Sequence, residues 1–135
     1  MNRNSQLTLT SLLSILLLSF HLTQDALREK PGTWPAGSGN LVAILILLVY
    51  LCGTLLLAGR RSGYVVMFIG GLFAAGMPVL HLTSPRFGLV ARPGQPFFMW
   101  TLIALGVLGA FSMILATLEF KNFRRERDAT IGLKT

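Results

Sequence analysis

Leu41-Val42-Ala43-Ile44-Leu45-Ile46-Leu47-Leu48-Val49 has no polar side chain. A soluble helix keeps a polar face toward water, and this run has none. It belongs to an apolar segment over 41–59, close to the 20 or so residues that cross about 30 Å of hydrocarbon. Three more segments meet the same criterion, at 6–24, 64–83 and 97–120. Charged residues make up only 13% of the chain, about half the share of an average soluble domain. The expected fold is therefore all-α, an integral membrane four-helix bundle running up-down-up-down, in one domain over 1–135 with a short basic tail at 121–135.

The punctuation between the segments fits this reading. Pro31-Gly32 ends the first helix and its charged extension, Asp25-Ala26-Leu27-Arg28-Glu29. Trp34 suits an interface anchor, and Asn40 can cap the second span. Gly59-Arg60-Arg61-Ser62-Gly63 is a tight turn, which makes spans 2 and 3 antiparallel neighbours. Pro78 should kink the last turns of span 3, and Phe97, Phe98 and Trp100 form an aromatic belt at the start of span 4. Arg3 followed by an apolar run resembles a secretory signal. No small-x-small site follows it, so the run reads as an uncleaved first span.

His21-Leu22-Thr23 and His81-Leu82-Thr83 close the first and third spans. Each is followed by a proline-bearing loop, a further apolar run and an arginine pair, Arg60-Arg61 or Arg124-Arg125. Two tandem similar helical hairpins are the architecture this suggests, although beyond these features the halves share only hydropathy.

The net charge of +7 does not imply nucleic acid, because the bases sit at the ends of apolar runs. With the N-terminus inside, Arg3, Arg60, Arg61, Lys121, Arg124, Arg125, Arg127 and Lys134 lie on the inner side. Arg28, Lys30, Arg86 and Arg92 then lie on the outer side. The excess of bases within places both termini in the cytoplasm, in a membrane of the bacterial cytoplasmic type, with both histidines near the outer face. Cys52 has no cysteine partner and reads as a small apolar filler.

On a helical wheel, Thr10, Ser14, His21 and Asp25 share one face of span 1, and Gly70, Ala74, Met77 and His81 one face of span 3. Packing these faces together would bring the two histidines near each other. Gly70, Gly71, Ala74, Gly106 and Ala110 are the candidate helix-packing residues, since small side chains let backbones approach. For the histidines, the expected arrangement is interfacial, each imidazole reaching water or headgroups on the same side. Three functional alternatives stand beside it. His21 and His81 could ligate a haem, with about 4 Å between the nitrogens. His21, Asp25 and His81 could hold a metal ion. One imidazole with a neighbouring Asp could serve a proton relay or a quinone contact.

No nucleotide-binding loop or nucleophile–base motif appears, and the segments outside the spans are too short for a catalytic domain. No catalytic residue is assigned. The expected function is a non-enzymatic accessory or scaffold subunit in contact with membrane lipid and with other membrane proteins or copies of itself. The alternative is a haem- or metal-binding redox membrane protein using the histidine pair.

Overall fold

A computed structural model describes residues 2–28, 38–83 and 95–132, with side chains over 2–24, 41–83 and 96–129, and the regular structure among them is all helical. The helices are α1 (Arg3–Arg28), α2 (Ser38–Leu56), α3 (Arg61–Thr83) and α4 (Gln95–Gly132). Three of them are long and apolar enough to cross a membrane. The described apolar part of α2, Leu41–Leu56, is shorter. Trp34, the flanking loops with Arg86 and Arg92, and the side chain of Asp25 lie outside the described residues.

Several boundaries differ from the sequence expectation. α2 begins at Ser38, so Asn40 lies in its first turn rather than at its cap. It ends at Leu56, because Gly59 turns the chain with φ 75° and the Arg60 N–H donates to the Leu57 carbonyl at 3.0 Å. Gly63 allows the chain to pass close: a Cβ there would overlap the Leu57 carbonyl oxygen. Arg61 consequently opens α3 instead of sitting in the turn. The sequence leaves the first part of the basic tail open to extending span 4, and α4 does run on to Gly132, carried forward by good helix formers such as Lys121, Arg124 and Glu126.

α3 and α4 share the most extensive contact, and α1 and α3 a much smaller one. The expected seating of α3's small face on α1 is thus corrected. Gly71 and Gly109 face each other so closely that a Cβ on Gly109 would overlap Ala75, Gly71 and Ala74, and Pro78 fills the gap left by Gly106. α3 continues through Pro78 to Thr83. Gly70 faces α2, where the ring of Tyr50 occupies the space of its missing side chain. Ala74 is buried with Leu18 and Leu105. Ala110 is exposed rather than in a seam. It lies about 100° around the helix from Gly109, which takes the inward position. Cys52 is likewise on the outside of α2 and fills no interior gap.

Leu7, Ser11, Ser14, Leu18 and His21 are buried on α1 at spacings of four, three, four and three, with Thr10 buried beside them. Successive layers of the bundle follow from this register. Leu7 packs with Met67, Leu115 and Ala116. Ser11 and Ser14 come next, then Leu18 with Ala74 and Leu105, then His21. Apolar and polar layers alternate along the interior.

Candidate functional site

His21 lies near the end of α1 on its buried face, and His81 in the last turn of α3. Ala74 and Leu18, one layer below, bring the two helices close enough for both rings to turn inward. Their Nε2 atoms are 2.8 Å apart. Ring centroids are 4.7 Å apart with planes at 87°. Whichever ring carries the Nε2 proton donates to the lone pair of the other, which lies in that ring's plane. Phe98, from the first turn of α4, stacks on His21 at 5.0 Å and meets His81 edge-on at 5.1 Å.

The expected solvent-directed arrangement is corrected here. His21 is 0% and His81 3% exposed, and the rings face each other rather than water or headgroups. Three helices close around the pair, which removes the escape route that an interfacial side chain would use. The sequence brought His21 and His81 together by assuming a broad α1–α3 seam. The structure joins them although that seam is narrow.

Distance separates the chemical alternatives. A haem iron between two imidazoles needs about 4 Å between nitrogens, since each Fe–N bond is about 2 Å. Two nitrogens on a tetrahedral zinc, at Zn–N of about 2.0–2.1 Å, stand roughly 3.3 Å apart. The observed 2.8 Å is shorter than both and fits a direct hydrogen bond. The pair does not fit a haem as it stands and would have to open by about 0.5 Å for a small ion. Among the described residues, no three His, Cys, Asp or Glu side chains converge.

Two polar sites escaped the sequence reading. At the far end from the histidines, Arg3 pairs with Glu119 at 3.8 Å, beside Tyr64. Arg61 lies over the ring of Phe120 at 5.2 Å. In mid-bundle the Tyr50 hydroxyl faces Ser11, Ser14 and Ser112. A signal for the second was present: Tyr50 and Thr54 are the oxygen-bearing side chains that interrupt the apolar α2, and both are buried. Nothing in the sequence pairs Tyr50 with serines from two other helices.

Comparison of the chain with protein families, with curated proteins and with solved structures finds no match.

Proposed function

We propose that the protein is an integral membrane bundle of four antiparallel helices and acts as a non-enzymatic subunit, packing through its outer surface against other membrane proteins or copies of itself. The observation that carries this is the inversion of polarity. Buried inside are Ser11, Ser14, His21, Thr54, His81 and Ser112, while α2 alone exposes Leu41, Val42, Ile44, Leu45 and Val49. A soluble protein does the opposite. Lipid makes such a surface stable, because the hydrocarbon offers no partner to the polar groups and no penalty to the apolar ones.

The hydroxyls follow the same logic. Thr10, Ser14, Thr54, Thr101 and Thr117 donate to a carbonyl three or four residues earlier in their own helix. An apolar medium favours this local satisfaction. Alternation of helix direction is supported by contacts at the two ends. The start of α1, the α2–α3 turn and the second half of α4 meet around Arg3, Asn4, Gly59 and Glu119, whereas His21, His81 and Phe98 meet at the other end. On the base count, the Arg3 end is cytoplasmic.

A subunit role fits an interior filled by close helix contacts and an outside that is apolar along the length of the helices. Purification from membranes in a mild detergent tests it. The expected particle has a protein mass above the 14.7 kDa of one chain. A single-chain particle at every protein-to-detergent ratio, and in native nanodiscs, would remove the subunit reading. The second reading is a small-metal site on His21 and His81, favoured by the meeting of the two Nε2 atoms. Metal analysis of the purified protein, with its absorption spectrum for haem, decides it: stoichiometric metal or a Soret band supports a cofactor, and neither removes one.

A further inference from the structure

We propose that Ser11, Tyr50 and Ser112, with Ser14 beside them, form a hydrated polar node in the middle of the bundle, where an internal water bridges α1, α2 and α4. The three hydroxyls are fully or almost fully buried. None of them makes a direct hydrogen bond of acceptable distance and angle among the described residues. Yet the Tyr50 hydroxyl faces all the serines. They are neighbours with no direct bond between them.

The serines have another option that they do not take. Ser14, one turn from Ser11, donates to the Thr10 carbonyl at 2.9 Å. Ser11 and Ser112 have helical carbonyls within the same reach but direct their oxygens elsewhere. A buried hydroxyl without a partner is destabilising by the full desolvation of the group. A polar recess with three or more partners is where an internal water binds, since such a water makes about three hydrogen bonds.

Most of the side chains that frame the node are small. The layers on either side are built from Leu7, Met67 and Leu115 and from Leu18 and Leu105. At the level between them stand Ser11, Ser14, Gly70 and Ser112, with Tyr50 the one large side chain among them. Its ring lies on Gly70, so its bulk is spent against α3 and only its hydroxyl end reaches the serines. The apolar layers isolate the node. His21 is ten residues beyond Ser11 on α1, roughly 15 Å along the axis. The water is therefore a resident bridge, not part of a path through the bundle.

Water-edited solid-state NMR of the protein in bilayers tests this, with bulk water as the probe. Magnetisation should build up at the Tyr50 ring, Ser11 and Ser112 several-fold faster than at Met67 and Leu105. In Tyr50→Phe the transfer at Ser11 and Ser112 should fall while that at the helix ends stays unchanged. Build-up at Tyr50 as slow as at Leu105 in the native protein would overturn the proposal and leave a dry hydroxyl cluster. The membrane reading does not depend on this outcome, because the apolar exterior and its topology are read by separate measurements.

Discussion

The contact between α3 and α4 and the contact between α1 and α3 hold the bundle in opposite ways. α3 and α4 meet along a long seam where Gly71, Ala74, Ala75 and Gly109 bring the backbones together. α1 and α3 meet narrowly, at Leu18 on Ala74 and at the histidine bond. The first is shape without polarity. The second relies on a polar contact that has meaning only where water is absent. In lipid the apolar side chains gain little by leaving their solvent, so close packing and interhelical hydrogen bonds carry association. On the proposed membrane reading, the two seams use one each.

The α3–α4 seam is most sensitive at Gly109. Gly109→Leu should destabilise the bundle by about 3 kcal/mol or more, since the new side chain meets α3 backbone that has nowhere to move. Unfolding by denaturing detergent measures it, and tolerance at this site would show that α3 and α4 are not in register. Gly70→Leu should follow at roughly 1–3 kcal/mol, because the obstacle there is the displaceable ring of Tyr50.

The histidine contact comes next in expected effect. His81→Leu removes one partner and leaves a buried imidazole with less than it had, for a loss of about 1–3 kcal/mol. The double variant His21→Leu/His81→Leu should recover part of that loss, since two apolar groups need no bond. A double variant as unstable as the sum of the singles would mean that the rings do not interact. The smallest effect is expected at Leu45, which is 60% exposed. Leu45→Ala should change stability by less than about 0.5 kcal/mol in the isolated bundle. A larger loss in the native membrane than in detergent would locate a partner on that face of α2.

Much of the helical plan was legible because apolar runs and their breakers act locally. The Gly59 turn, the small residues of α3 and the placement of His21 and His81 near helix ends all follow from spacing. The partner of each face did not. Gly70, Gly71 and Ala74 are all small, and a helical wheel cannot say that Gly70 receives Tyr50 from α2 while Gly71 receives Gly109 from α4. That division depends on the order of helices around the axis, which no single helix encodes. The same limit explains Ala110, which shares its composition with Gly109 but sits one position out of the seam. It also explains the histidines. Proximity to the span ends suggested access to water, but Phe98 of a third helix closes over them.

The closed histidine pair seals one end of the interior, and nitrogen NMR of the two rings reads it. The chain has two histidines, so selective ¹⁵N-imidazole labelling gives just their signals. In the protein held in lipid, a through-hydrogen-bond coupling between the two Nε2 nitrogens is predicted, with both rings slow to exchange with water. Two uncoupled imidazoles in rapid exchange with water would contradict the sealed interior and return both side chains to the membrane surface.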